Sequence, residues 1–176
     1  SGTAWLKPAG LKHLDGIICY IGIGANLGDS LKNCRHAVEM LSRVKGVELE
    51  TVSSYYRTEP VGLENQNFFI NAVAEIRTVL DARGLLHALQ NIEKEMGRKR
   101  GVKGGPRMID LDILFYGQNV IDRQDLKVPH PELHKRRFVL EPLCEIASFF
   151  IHPSFGVSVR GLNDRLDDSK IVEKVE

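Results

Sequence analysis

The chain has 176 residues, a length that fits one domain with a substantial core. Its 43% apolar and 27% charged residues match an ordinary soluble globular domain and exclude a fibrous, disordered or disulfide-stapled one. A net charge of +1 gives no global pull toward nucleic acid or a membrane surface, so any electrostatic work has to be local.

Taken in order, residues 1–15 read as a tag or unstructured leader: Ser1-Gly2 looks like a cloning remnant, and no apolar core of a signal peptide follows. Residues 16–176 read as a single domain. Ile17 to Gly24 is nearly all apolar, as suits a central strand covered on both faces; Gly22 and Gly24 leave room for close approach of backbone or ligand. Ala25 to Asp29 is a turn without a P-loop or dinucleotide fingerprint. A helix capped by Asp29 or Ser30 carries Leu31, Cys34, Val38 and Leu41 on one face and ends near Lys45-Gly46. Val47 to Arg57 predicts one β-rich strand, and Thr58 to Gln66 a loop long enough to be a lid or pocket wall. Phe68 to Arg77 alternates: Phe68, Ile70, Ala72, Ala74 and Ile76 form the core face, with Phe69, Asn71 and Val73 opposite. Phe69 beside Asn71 could seat a flat heterocycle, or could be ordinary packing. Asp81 caps a second helix to Met96, with Leu85, Leu89 and Ile92 inside and Gly97 as its stop signal.

The stretch from Gly97 to Tyr116 carries the chemistry. Its first half holds four glycines, five cationic side chains and no acid. Its second half alternates as a strand, with Ile109, Leu111, Ile113 and Phe115 on one side and Met108, Asp110, Asp112, Leu114 and Tyr116 on the other. Two carboxylates two residues apart share a face, with Cα atoms about 6.6 Å apart, which suits a pair of oxygen-ligated Mg²⁺ ions about 3.5–4 Å apart. A solvated polar face is the plainer alternative for Asp-x-Asp, but the adjoining cationic loop favours a nucleotide–metal site. Beyond it, Tyr116 to Ile121 predicts a hairpin. The segment from Val128 to Phe138 is irregular, and His130 and His134 lack a Glu or Cys to complete a zinc set, which favours anion contact. Phe138 to Ala147 is a helix with Leu140, Leu143, Cys144 and Ile146 inside; Val159, Leu162 and Leu166 suggest one more short helix. The cysteines Cys19, Cys34 and Cys144 show no C-x-x-C spacing, so buried reduced thiols and a cytoplasmic location are expected. No apolar run approaches the roughly 18 residues of a membrane span. The order β-α-β-β-α-β predicts an α+β fold of ferredoxin-like plan: an antiparallel sheet sandwiched by helices in three α-β-α layers.

Five blocks in this order resemble the 6-hydroxymethyl-7,8-dihydropterin pyrophosphokinase family of folate biosynthesis. They are Tyr20 to Gly28, Ser54 to Pro60, Asn67 to Ala72, Gly105 to Leu114 (a specific G-P-R-x-x-D-L-D-I pattern) and Val128 to Pro131. Arg136 to Leu140 and Pro142 to Ala147 extend the match. The resemblance implies transfer of the β,γ-diphosphate of ATP to the pterin hydroxymethyl group, releasing AMP. It implies that Asp110 and Asp112 hold two Mg²⁺ ions and that Arg98 and Arg107 act as catalytic-loop arginines. Gln90, Glu93, Ile113, His130 and Arg136 would complete the ATP site. Thr58, Val61, Phe69, Asn71, Asp110 and Phe138 would bind the pterin, with Phe69 and Phe138 sandwiching the ring. The partners would be these two small molecules alone, with no nucleic acid or membrane, and the chain a monomer. The cationic loop would close on ATP as a lid. The sequence departs from the family pattern at Gly104, where a Trp is frequent, in a slightly short loop between Arg98 and Pro106, and at Phe69, where Tyr is frequent. Two other readings stay open: a metal-dependent nucleotidyltransferase on a ferredoxin-like palm, and a non-catalytic ligand-binding module.

Overall fold

The structure is a computed structural model that describes residues 15–60, 66–97 and 107–175. In chain order the elements are β1 (Ile17–Ala25), α1 (Ser30–Ser42), β2 (Val47–Val52), β3 (Tyr56–Thr58), β4 (Phe69–Thr78), α2 (Ala82–Glu95), β5 (Asp110–Tyr116), β6 (Ile121–Arg123), β7 (Leu126–Val128), α3 (Arg137–Ala147), α4 (Val159–Arg165) and β8 (Val172–Lys174). The main sheet runs β5-β1-β4-β3-β8, antiparallel throughout, with β2 beside β4 next to β3. This is the ferredoxin-like α+β plan: β1 is central, flanked by β4 and β5.

Helices cover both faces. On one, α1 and α2 pack over Ile21, Ile23, Ile76 and Ile109. Asp29 caps α1 by accepting from the Lys32 amide, and Asp81 caps α2 by accepting from the Gly84 amide, so each helix starts where a side chain satisfies an orphan donor. Helix α2 ends at Glu95 with Met96 as its C-cap, and Gly97 follows with φ +82°, the left-handed stop expected there. On the other face, α3 and α4 bury Tyr20, Val73, Leu114, Phe115, Leu140 and Leu143.

Four expectations need correction. The strand expected over Val47 to Arg57 is two strands, β2 and β3. At the break the Ser53 hydroxyl, not a carbonyl, accepts from the Val73 amide (2.9 Å), while the Ser53 amide donates to the Val73 carbonyl (2.9 Å); the side chain replaces one rung of the ladder. Phe115 lies on the α3 face rather than with Ile113, because the β1–β5 register shifts between Tyr20 and Ile21; a bulge reverses the alternation beyond it. The turn after Tyr116 does not lead a strand back onto β5: β6 pairs with β7. Finally, Phe68 is half-buried on the edge under the Arg57 guanidinium, 3.9 Å from its ring centroid, not in the core. Strand β8, on the far side of β3, had no signal in the sequence pattern.

The α3 face also holds His152, 3% exposed. Its ring stacks on Phe155 at 4.1 Å, and Nδ1 accepts from the Ser154 and Phe155 amides. Burial, aided by nearby His134, holds its pKa below the usual 6.5. The unfolded chain therefore binds a proton here that the folded chain resists. The contribution to stability is complete above about pH 6.5 and is lost as pH falls through the folded value, at up to about 1.4 kcal/mol per pH unit. In His152→Asn an amide oxygen can take the Nδ1 position without titrating. Denaturant midpoints between pH 7.5 and 5.5 are expected to fall less steeply for that variant than for the parent; equal slopes would show that His152 contributes none of the acid sensitivity.

Candidate active site

Strand register places the chemistry. On β1, Gly24 lies opposite Asp110 on one side and Asn71 on the other, and Gly22 lies between Asp112 and Val73. Residues directly opposed in an antiparallel pair share a face, so acids, glycines and Asn71 form two rows across three strands. The Asp110 and Asn71 Cα atoms are two strand spacings apart, about 10 Å. The glycines let neighbouring side chains lie close over the floor: Leu114 over Gly22 and Asn71 over Gly24. A Cβ on Gly24 would come within 2.6 Å of Asn71 Oδ1, so this position cannot carry a side chain while Asn71 keeps its place.

Above the rows lies a cavity of about 490 Å³, of a size common for small-molecule sites. Its expected pterin wall is assembled from three elements. Thr58 of β3, 1% exposed, accepts a hydrogen bond from Asn71 Nδ2 at 2.7 Å. Phe69 of β4 and Phe138 of α3 line the cavity. The Arg136 guanidinium lies 5.6 Å from the Phe138 ring centroid, within cation–π range.

The acid side of the cavity holds Asp110, Asp112, Arg107, His130 and Arg136. Arg107 Nη1 is 3.9 Å from Asp110 Oδ1. His130 is fixed by its own backbone and ring: its amide donates to the Leu114 carbonyl (3.0 Å), and Nδ1 accepts from the Glu132 amide (3.1 Å). Burial lowers its pKa, and Arg136 adds to that against the opposing charges of Asp112 and Glu132. With Nδ1 an acceptor, the neutral ring carries its proton on Nε2, which makes it a hydrogen-bond donor that needs no positive charge.

Of the other expected residues, Gln90, Glu93 and Ile113 do not line this cavity. Gln90 is exposed on α2. Glu93 is buried at 5% exposure and accepts from the Leu111 amide at 3.2 Å, and Ile113 lies in the α1/α2 core. Arg98 and Val61 lie outside the described residues, as does most of the cationic loop. His134 does not converge with His130; its ring packs edge-on against Phe155.

Two contributors escaped the sequence reading. Asn26, 1% exposed, sits in the turn after β1. Its Oδ1 accepts from the Arg107 amide (2.7 Å), and its Nδ2 donates to Gln66 Oε1 (2.8 Å) and the Asn67 carbonyl (3.2 Å). One side chain thus ties the start of the acid strand to the segment entering β4. A polar residue in a Gly-rich turn gives no sign that it will be buried; only its place in a matching block hinted at a role. Glu59 also lines the cavity; its segment reads as a pocket wall and lies in a matching block, but the residue itself was not singled out.

The residues fit a hard divalent cation. Two carboxylates project from one face of β5, Asp112 exposed and Asp110 with a side chain 31% exposed. Among the described residues no group of three or more His, Cys, Asp or Glu forms a cage. Mg²⁺ characteristically takes one or two carboxylates and completes its shell with phosphate oxygens and water. Also among the described residues, no helix is long and apolar enough to cross a membrane.

Comparison with known proteins converges on one family. The 7,8-dihydro-6-hydroxymethylpterin-pyrophosphokinase family matches residues 20–148. The 2-amino-4-hydroxy-6-hydroxymethyldihydropteridine pyrophosphokinase of Haemophilus influenzae is 38% identical over 157 residues, 89% of this chain and 98% of that protein. Its counterpart in Bacillus subtilis is 46% identical over 129 residues, 73% of this chain and 77% of that one. The folic acid synthesis protein fol1 of Pneumocystis carinii is 39% identical over 90% of this chain, which spans only 21% of fol1. A crystal structure of HPPK-DHPS in complex with substrates superposes with a TM-score of 0.66 at 15% identity, covering 85% of this chain and 43% of that one, a likeness that speaks for the fold alone. Family match, full-length relatives and fold agree, and the chain belongs to the 7,8-dihydro-6-hydroxymethylpterin-pyrophosphokinase (HPPK) family.

Proposed function

We propose that this chain transfers the β,γ-diphosphate of ATP to the hydroxymethyl oxygen of 6-hydroxymethyl-7,8-dihydropterin, with Asp110 and Asp112 holding two Mg²⁺ ions. The observation that carries the reading is the in-register row Asp110–Gly24–Asn71. It puts the Asp110 carboxylate and the Asn71 amide on one floor, with Gly24 between them, where the missing side chain lets the Asn71 amide lie close over the backbone. Asn71 can pair with the pterin edge while Thr58 holds it in place, and Phe69 and Phe138 supply apolar ring faces. Arg107, Arg136 and the His130 Nε2–H offer donors for phosphate oxygens. The guanidinium groups stay charged at any working pH.

When bound, the ions neutralise the triphosphate and acidify the attacking hydroxyl. The hydroxymethyl oxygen, its proton released to solvent, forms a bond to the β-phosphorus as the bond from that phosphorus to the α–β bridging oxygen breaks, and AMP leaves with the bridging oxygen. The chain contributes chiefly by holding the two substrates in line and by placing positive charge where negative charge develops. The test is to incubate the protein with ATP, Mg²⁺ and 6-hydroxymethyl-7,8-dihydropterin. AMP and the pterin diphosphate are the expected products; ADP, free pyrophosphate or no product would overturn the reading.

Phe138→Ala separates the two substrates. Removing one aromatic face from the ring is expected to weaken pterin binding about tenfold, with ATP binding changed less than about threefold. Calorimetric titration with each ligand checks it, and equal losses would remove Phe138 from the pterin site.

A further inference from the structure

The last part of the described chain, beyond the residues matched by the family, touches both ends of the expected pterin wall. On one side, Arg137 stands between the cavity residues Arg136 and Phe138 and reaches into the C-terminal segment. Its Nε donates to the Asp168 carbonyl (3.2 Å), Nη2 to the Leu166 carbonyl (2.9 Å) and Nη1 to Asn163 Oδ1 (3.0 Å), while its amide donates to Asp168 Oδ2 (3.3 Å). On the other side, β8 pairs with β3, setting Val172 opposite Thr58. The Glu59 amide donates to the Ile171 carbonyl (3.1 Å), Glu59 Oε1 accepts from the Ile171 amide (2.9 Å), and the Val175 amide donates to the Tyr55 carbonyl (2.9 Å).

Only two residues, Ser169 and Lys170, separate the last Arg137 contact from the first Glu59 contact. That short span connects the start of α3, which carries Phe138, to the end of β3, which carries Thr58. Strand β3 has just three residues; without β8 its outer edge has no backbone partner among the described elements. A three-residue edge strand followed by a loop is the kind of segment that opens locally at little cost.

We propose that the segment from Leu166 to Val175 is a brace that fixes the separation of Thr58 and Phe138, and that Arg137, Glu59 and the Ile171 amide are positioning residues for the heterocyclic substrate. The proposal rests on the pterin assignment of that wall. The carboxylates lie on β5, at the opposite edge of the sheet, out of reach of the brace, and of the expected phosphate donors Arg136 alone adjoins it, so the nucleotide triphosphate should depend on the brace much less than the heterocycle does.

Full-length Ile171→Pro/Val175→Pro removes the amide donors at both ends of β8, and Arg137→Lys keeps the charge but loses the guanidinium fork. Each is expected to raise the KM for 6-hydroxymethyl-7,8-dihydropterin about tenfold, with the KM for ATP changed less than about twofold. Folding is checked by circular dichroism. If the double proline variant does not fold, Arg137→Lys alone decides. An unchanged pterin KM in a folded variant, or equal rises in both KM values, overturns the brace. A parent protein that forms no AMP overturns the functional reading instead, and the two failures are distinguishable in the same assay.

Discussion

Asp110→Ala and Asp112→Ala are each expected to cut AMP formation by at least about 10²–10³-fold, the range seen when one preorganised electrostatic contact to a transition state is removed. The loss should be larger if both ions depend on each carboxylate, because an ion then leaves with its charge. Neither side chain supports the core. Asp112 is exposed, and the Arg107–Asp110 pair, 3.9 Å apart with side chains 16% and 31% exposed, is too long for a strong charge-assisted hydrogen bond, so its loss should cost about 1 kcal/mol. Melting temperatures should therefore stay within a few degrees of the parent. The assay is initial rate of AMP release at saturating ATP and pterin across a Mg²⁺ titration. Near-normal turnover in either variant would sink the assignment of these carboxylates to the metal site. A drop in melting temperature comparable to a core deletion would show that the lost rate reports unfolding.

The two-residue spacing of Asp110 and Asp112 was legible in the sequence because a strand period of 2 makes a shared face unavoidable. The glycines were legible as open positions, but not as the positions opposite those acids. Cross-strand register between β1 and β5 is a long-range pairing that local pattern does not encode. The same limit hid the bulge that turns Phe115 toward α3, and the break at Ser53, where a hydroxyl takes over one ladder bond. Asn26 looked like any turn residue; its burial comes from segments 40 and 81 residues away closing over it. Helix ends were the most legible features. Asp29, Asp81 and Gly97 act through backbone groups within a few residues of themselves, and such local chemistry can be read without tertiary context.

Phe115→Ala carries the largest expected effect on stability and tests the bulge directly. The ring is fully buried, 4.6 Å from the Phe150 centroid, 5.4 Å from His152 and 6.3 Å, edge-on, from Tyr20. Truncating a buried Phe costs about 3–5 kcal/mol through lost transfer energy and an unfilled cavity, a large share of the roughly 5–15 kcal/mol typical of a folded domain. The measurement is the denaturant midpoint at an unchanged m-value. The face that Phe115 occupies is read from double-mutant cycles. Paired with Phe150→Ala, a coupling of about 0.5–1.5 kcal/mol is expected from the ring contact. Paired with Leu89→Ala, on α2 across the sheet, coupling should fall within about 0.5 kcal/mol of zero. Uninterrupted alternation along β5 would put Phe115 on the Leu89 side and reverse the two results. Leu114, whose side chain packs against Gly22 on the cavity floor, stays on the Asp112 side under either pattern, so the cycles isolate the one residue, Phe115, whose face the bulge decides.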